Sequence, residues 1–188
     1  MGKAVNFGYH TCKLDNGFDY IVKCIPFKSH SGKNQWLTQG FYFWTDSDYW
    51  AKRWGKEGNR VIGKFRLELC FKSEVLDLVG NVDHQLEFIR LKKLILDKLG
   101  SIGKDRDVTV NQVLSKLRQS TDVFPYLAVK AQDNKKIENI RFVDPHINKA
   151  TMSMLTRQQI CVFENARDKI TLCGFIEPND YAKKMPIS

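Results

Sequence analysis

Two helical segments between residues 83 and 118 divide this chain into two groups of strand-like segments. The first helix is predicted from apolar residues at nearly helical spacing, separated by Lys and Arg: Leu86, Ile89, Leu94, Leu96 and Leu99. The second is predicted to begin at Thr109, because Thr109 and Gln112 have the spacing of a capping box. Helices that interrupt runs of strands, instead of alternating with them, indicate an α+β fold with mainly antiparallel sheets.

The strands are predicted from short segments rich in aromatic and β-branched residues. They lie near 5–12, 40–44, 61–69 and 75–78 before the helices, and near 126–131, 140–143, 160–164 and 170–176 after them. At 188 residues the chain is close to the size of one domain. We therefore expect a single domain over 1–188, with a helical insert at about 81–120.

Three further segments carry local predictions. Residues 13–39 are polar and rich in turn residues, and an irregular connection of this length is unusual unless it is functional, which suggests a lid over a binding site. Thr45, Asp46 and Ser47 are N-cap residues, which predicts a helix that extends to Trp54. The tail after Pro178 is predicted to be frayed.

The chain is basic, with a net charge of +9 and 30 Lys and Arg residues against 21 Asp and Glu. This excess attracts anions, of which nucleic acid, an acidic protein and a nucleotide are the leading candidates. The alternative is a basic domain with no polyanionic partner. The basic residues of the helical insert fit either interpretation, as a nucleic-acid face or as a solvated helix surface.

The five cysteines include no C-x-x-C pair, and their odd number argues against a disulfide framework or a zinc cluster. We therefore expect no metal. No segment resembles a signal peptide, and no apolar stretch has the length of a membrane span. The expected location is the cytoplasm, without a membrane partner.

Three short elements carry a resemblance to a known family. Tyr9-His10-Thr11 is similar to the His-Gly element of ADP-ribosyltransferases of the diphtheria-toxin/PARP type, and Gly40-Phe41-Tyr42-Phe43, followed by Ala51, resembles their Gly-Ile-Tyr-Phe segment. The segment from Gln159 to Phe163, followed by Lys169-Ile170, resembles the strand that begins with their catalytic glutamate. The elements occur in the family's order and span most of the chain. The second element also looks like small bacterial relatives, often toxins or phage-defence effectors.

The resemblance implies an ADP-ribosyltransferase fold with split sheets, NAD⁺ as co-substrate, and His10, Tyr42 and Gln159 as catalytic residues. His10 would bind a ribose hydroxyl of the adenosine half, Tyr42 would stack on nicotinamide, and Gln159 would contact the nicotinamide ribose. The remaining residues implied for the NAD⁺ pocket are Thr11, which would hold the carboxamide through its backbone, Gly40, Phe43, and Trp54 or alternatively Trp50, which would close the other side of the ring.

Two departures from the family refine this expectation. Gln159 stands in place of glutamate, so it can accept a hydrogen bond from a ribose hydroxyl but carries no negative charge. The expected activity is therefore transfer of a single ADP-ribose instead of chain extension. Thr11 stands where the family usually has glycine.

The acceptor is predicted from basic and aromatic residues near the pocket mouth, because stacking combined with cations is how unpaired bases are held. These residues are Lys33, Trp36, Lys52, Arg53 and Lys56. They favour nucleic acid, RNA in particular, as the target of a toxin or phage-defence effector, and an antitoxin partner is implied by the toxin relatives. A protein acceptor, or an inactive module that binds NAD, ADP-ribose or nucleic acid, are the alternatives.

Overall fold

The structure is a computed structural model that describes residues 6–32, 35–100, 108–120, 122–133, 138–144 and 149–187, without the side chains of 99 and 100. The strands are β1 (Asn6–Lys13), β2 (Phe41–Thr45), β3 (Arg60–Leu67), β4 (Val75–Asp77), β5 (Ala128–Asp133), β6 (Glu138–Arg141), β7 (Thr151–Met154), β8 (Arg157–Val162) and β9 (Ile170–Glu177). The helices are α1 (Gly17–Cys24), α2 (Val82–Gly100), α3 (Val110–Leu117) and α4 (Asn179–Lys184), with short 3-10 turns at Ala51–Arg53 and Glu164–Lys169.

Seven strands form one sheet in the order β4-β5-β8-β2-β1-β3-β9, and β6 pairs with β7 in a separate hairpin. Neighbouring strands are antiparallel except for the pair β4 and β5. The prediction of an α+β fold with a mainly antiparallel sheet is confirmed. α2 and α3 lie between β4 and β5 in the chain, in the interval predicted for the helical insert.

Alternation along the strands sends apolar side chains to both faces of the sheet. Phe43 and Ile160 belong to a core that α1 and α4 cover, and Cys161 belongs to a second core that α2 and α3 cover. Both cores contain fully buried side chains, and each such side chain contributes roughly 1.5–3 kcal/mol. The sheet is therefore held rigidly from both sides where β2 and β8 run through it.

β1 and β2 pair over a much shorter stretch than their neighbours. Their ladder consists of Gly8–Thr45 and Tyr9–Trp44, whereas β1 and β3 pair along eight residues. Beyond this ladder the imidazole of His10 links the strands, with Nδ1 2.9 Å from the carbonyl oxygen of Tyr42. A side chain thus takes the place of a backbone hydrogen bond between the two strands.

The prediction of an irregular segment over 13–39 is wrong at α1. Phe18, Ile21, Val22 and Ile25 follow helical spacing, and their side chains pack into the core beneath the sheet. The turn residue Gly17 obscured this period, although its positive φ of 78° only starts the helix. Residues 25–32 and 35–40 are irregular, and we call these described residues the wall loop.

The predicted helix from Thr45 to Trp54 is also wrong. Only the 3-10 turn Ala51–Arg53 forms there, and Asp46 has a left-handed φ of 66° instead of a helical one. Packing of aromatic rings decides this conformation. The ring of Trp44 lies 6.1 Å from that of Trp50 and 5.8 Å from that of Trp54.

α2 forms where predicted, but its buried face differs from the predicted stripe. Leu86, Ile89 and Leu94 are exposed, while Phe88 and Leu91 pack against the sheet. Leu96 is partly buried, and the side chain of Leu99 lies outside the described residues. The face that carries Phe88 shares a core with Phe124 and Phe163.

The C-terminal tail is ordered after Pro178, contrary to the prediction. Residues Asn179–Lys184 form α4, and Tyr181 is buried against the rings of Phe18 and Phe175. β7 was not predicted, because it has only four residues, and all four are exposed. Among the described residues, no helix combines the length and the apolar character needed to span a bilayer.

Candidate functional site

A cavity of about 410 Å³ lies where β1 and β2 separate. This volume lies within the range of small-molecule sites. Three strands and the residue after the 3-10 turn contribute His10, Thr11, Tyr42, Gln159 and Trp54. The wall loop contributes the remaining lining residues, Phe27, Ser29, His30, Gly32, Gln35 and Trp36. The described lining contains no Asp or Glu side chain.

His10 is buried and neutral. Its Nδ1 donates to the Tyr42 carbonyl, and its Nε2 accepts from the Phe27 N–H at 3.2 Å, which fixes the tautomer because a carbonyl can only accept and an amide N–H can only donate. Burial lowers the pKa of His10 to about 4, although the hydrogen bond to Tyr42 opposes this shift. His10 therefore fastens β2 and the wall loop to β1.

The buried imidazole predicts a loss of stability in mild acid. The unfolded chain binds a proton at His10 as the pH falls through about 6.5, whereas the folded chain does so only near pH 4. Between these values the unfolded state binds more protons, so the free energy of unfolding falls with falling pH by up to about 3 kcal/mol from this group. Above pH 6.5 the group contributes no pH dependence.

Urea denaturation at pH values between 4 and 7 measures this effect. The matched variant is His10→Gln, whose amide donates and accepts hydrogen bonds but does not titrate. The wild-type profile should fall more steeply than that of the variant. Parallel profiles would contradict the assignment of the slope to His10.

Tyr42 presents its ring to the cavity while its hydroxyl group holds the wall loop. The hydroxyl donates to the carbonyl of Thr38 at 2.7 Å and accepts from the N–H groups of Leu37 and Thr38 at 3.2 and 3.1 Å. Burial raises the pKa of this hydroxyl, so it stays protonated and remains a donor. The ring, which also packs against the second core, is thus fixed at its polar end.

The wall loop is closed on itself through Ser29. The Ser29 N–H donates to the carbonyl of Gly40 at 2.8 Å, and the Gly40 N–H donates to Ser29 Oγ at 3.1 Å. Gln35 Nε2 also donates to Ser29 Oγ, at 2.6 Å. These bonds join the two ends of the loop next to the cavity.

One face of α3 supports the wall loop from outside. Asn111 and Ser115 contact Gln35 and Thr38 at 3.3 and 3.2 Å. Arg118 follows on the same face and donates to Thr38 Oγ1 at 3.2 Å and to the carbonyl of Gln39 at 2.6 Å. The helical insert therefore helps to shape the cavity, a role beyond the nucleic-acid face or solvated surface predicted for it.

Glu164, a nearby acid, is engaged elsewhere. It forms ion pairs with Arg118 and, at 3.7 Å, with Lys28. Burial raises the pKa of Glu164, but hydrogen bonds from its own backbone and from Arg118 outweigh this and hold it below its usual value. Glu164 is an ionised structural partner and does not line the cavity.

Gln159 and Thr11 reach the cavity from opposite sides of β2. Gln159 lies on β8 opposite Trp44 of β2 and Ala131 of β5, so strands on both sides hold its backbone. Thr11 Oγ1 donates to the carbonyl of Ala51 at 3.1 Å, which ties β1 to the 3-10 turn. The side chain of Thr11 thus positions the turn that leads to Trp54.

Three of the residues implied for the NAD⁺ pocket do not line the cavity. Phe43 is buried in the core, with its ring 5.3 Å from that of Phe65. Gly40 is the last residue of the wall loop and lies against β8, where a Cβ would come within 2.5 Å of the Val162 carbonyl oxygen. Trp50 donates from its indole N–H to the carbonyl of Thr156 at 3.1 Å. Their contacts are those of residues that support the site.

The residues predicted to bind nucleic acid have different environments. Trp36 lines the cavity, whereas Lys33 lies outside the described residues. Lys52 forms an ion pair with Asp48 at 2.7 Å, Arg53 stacks on the ring of Tyr49 at 3.5 Å, and Lys56 is exposed. The side chains of Lys52, Arg53 and Lys56 are all solvent-accessible just before and after Trp54.

Sequence reasoning missed Arg157. Its guanidinium lies 5.1 Å from the ring of Trp36 and 5.9 Å from that of Trp50, and it forms an ion pair with Asp133. The partners lie on β5, in the wall loop and beside the 3-10 turn, so no local motif could have revealed the cluster.

Within the described residues, no group of three or more His, Cys, Asp or Glu side chains could hold a metal ion. All five cysteines are free thiols. No protein-family model, no curated protein and no solved structure matches this chain.

Proposed function

We propose that this chain is an NAD⁺-dependent ADP-ribosyltransferase that moves a single ADP-ribose onto nucleic acid, with RNA favoured over DNA. One observation carries the proposal. A single cavity receives His10, Tyr42 and Gln159, the three residues that the family resemblance makes catalytic, together with Thr11 and Trp54. They come from three strands and a turn that are far apart in the chain, so their convergence does not follow from local sequence.

The proposed reaction breaks the bond between the nicotinamide nitrogen and C1′ of the ribose. The electron pair leaves with nicotinamide, which departs as a neutral molecule. A nucleophilic atom of the acceptor forms the new bond to C1′ and releases its proton to water. Since the described lining offers no carboxylate, the site would act mainly by positioning the two reactants.

Each lining residue has a role in this scheme. The face of Tyr42 would stack on the nicotinamide ring, with Trp54 on its other side, where a pyridinium gains from contact with aromatic rings. The Gln159 amide oxygen would accept a hydrogen bond from a ribose hydroxyl. His10 would reach a ribose hydroxyl of the adenosine half by exchanging the Phe27 N–H for it at Nε2.

The biological setting is part of the proposal. The chain would act in the cytoplasm as a toxin or phage-defence effector, with NAD⁺ as its co-substrate and an antitoxin protein as a candidate regulator. The basic net charge and the cationic residues around Trp54 favour a nucleic-acid acceptor over a protein acceptor.

A second candidate function has a specific observation in its favour. Both nitrogens of His10 are hydrogen-bonded to backbone groups, and position 159 carries an amide in place of a carboxylate. A module that binds NAD or ADP-ribose without transferring it would tolerate both features. Such a module would bind NAD⁺ and yield no product.

Transfer can be tested with NAD⁺ labelled in its adenylate phosphate. The wild-type protein is incubated with total RNA, single-stranded DNA or a protein extract, and each pool is then separated and counted. Label should enter the RNA pool and depend on intact protein. Label in protein alone would show that the acceptor is a protein. Binding of NAD⁺ with no label in any pool would support the inactive binding module.

A further inference from the structure

Two indole rings are exposed at the mouth of the cavity. Trp36 and Trp54 both line it, yet 38% and 50% of their surfaces are accessible to solvent. The described residues form three buried apolar clusters, and indoles left outside such clusters beside a cavity are typical of binding surfaces.

Trp36 is held in place on both sides. The preceding side chain, Gln35, bonds to Ser29 at 2.6 Å and to Asn111 at 3.3 Å. The following residue, Leu37, is buried, and its N–H donates to the hydroxyl of Tyr42 at 3.2 Å. The indole therefore projects from a fixed backbone, so a ligand that stacks on it incurs little ordering cost.

Arg157 fixes the ring of Trp36 itself. Its guanidinium packs near both Trp36 and Trp50, and the ion pair with Asp133 on the neighbouring strand holds it there. A planar guanidinium suits this position because it can stack on an indole while its N–H groups bind a carboxylate. Arg157 is thus a positioning residue for Trp36.

We propose that Trp36, positioned by Arg157, is a stacking platform for an unpaired base of single-stranded nucleic acid at the mouth of the cavity. Aromatic rings combined with nearby cations hold single strands without reading their sequence. Arg53 and Lys56 are solvent-exposed cations close to Trp54 in the chain, and they would contact the phosphates. The role of this platform in delivering an acceptor rests on the proposed transferase function, but base stacking itself does not require NAD⁺.

The test measures binding without NAD⁺. Fluorescence anisotropy is recorded with a short labelled single-stranded RNA and with a DNA of the same sequence, for the wild type and for Trp36→Ala. The substitution should weaken binding by at least about fivefold, the smaller end of what one stacked base contributes. The probe that binds more tightly indicates whether the natural strand is RNA or DNA.

Two further variants make the result specific. Phe7→Ala removes an aromatic ring of similar exposure, 40%, that lines a different cavity, and its affinity should match the wild type. Arg157→Lys keeps the positive charge but not the planar guanidinium that lies 5.1 Å from the Trp36 ring, and it should weaken binding in the same direction as Trp36→Ala. Near-ultraviolet circular dichroism confirms that each variant is folded.

Three results would contradict the proposal that Trp36 is a stacking platform. In the first, the wild type binds neither probe. In the second, Trp36→Ala binds both probes as tightly as the wild type. In the third, Trp36→Ala loses affinity for NAD⁺ in calorimetry but keeps its affinity for both probes. The last result would assign the ring to the adenine of NAD⁺. If binding falls as expected but no label is ever transferred from NAD⁺, the platform stands and the transferase proposal fails.

Discussion

Replacing Gln159 with alanine should lower the rate of ADP-ribose transfer by about 100-fold, the typical cost of one preorganised polar contact to a transition state. Gln159 is the lining residue on β8, and pairing with β2 and β5 on either side fixes its backbone. In the proposed reaction its amide oxygen orients the ribose from which nicotinamide departs. The rate is measured in single-turnover assays with labelled NAD⁺ and the acceptor pool identified above.

The neighbouring residue offers a matched control. Gln158 has the same side chain, lies on the opposite face of β8 and bonds to Thr156 Oγ1 at 3.1 Å. Gln158→Ala should therefore transfer ADP-ribose at close to the wild-type rate. Equal rates for the two alanine variants would show that Gln159 does not contribute to the transfer reaction.

A third variant examines the charge at this position. Gln159→Glu places a carboxylate beside the carbon that becomes cationic, so the rate of nicotinamide release should rise above that of the wild type. A fall in this rate to the level of Gln159→Ala would show that the site requires a neutral amide. The measured product is free nicotinamide, which counts bond cleavage whatever the acceptor.

The strands of the main sheet could largely be predicted from sequence because alternation is a local property. Along β8, for example, Ile160 and Val162 enter one core and Cys161 enters the other. The helices were predicted less well where long-range packing selects the buried face. Leu86 and Ile89 satisfy a helical period, yet the second core receives Phe88 and Leu91 instead.

From the sequence, the candidate site could be predicted only as a few residues on three separate strands. His10, Tyr42 and Gln159 could be named from short motifs, and all three line the cavity. The sequence gives no sign of what holds them, because the support comes from distant segments. The bonds from Asn111 and Arg118 to the wall loop depend on how α3 docks, and the position of Arg157 depends on the pairing of β8 with β5.

Gly40 was predicted to belong to the NAD⁺ pocket, but in the structure it allows close packing of the chain against β8. A Cβ at this position would lie 2.5 Å from the Val162 carbonyl oxygen and 2.7 Å from Cys161 Sγ. The carbonyl cannot withdraw, because Val162 is paired with Phe41 on one side and Ala128 on the other. Gly40→Ala should therefore lower the free energy of unfolding by about 3 kcal/mol, the upper end of overpacking costs.

Gly32→Ala is the matched control for this substitution, since an added Cβ there meets no atom within 4 Å. Its free energy of unfolding should differ from the wild type by less than about 1 kcal/mol. Urea denaturation of both variants gives the comparison. Because Gly40 also accepts a hydrogen bond from the Ser29 N–H and donates one to Ser29 Oγ, any shift of β2 that relieves the clash would release the wall loop. Gly40→Ala should consequently bind NAD⁺ more weakly even where it is fully folded. Equal stability of Gly40→Ala and Gly32→Ala would contradict the close packing of Gly40 against β8.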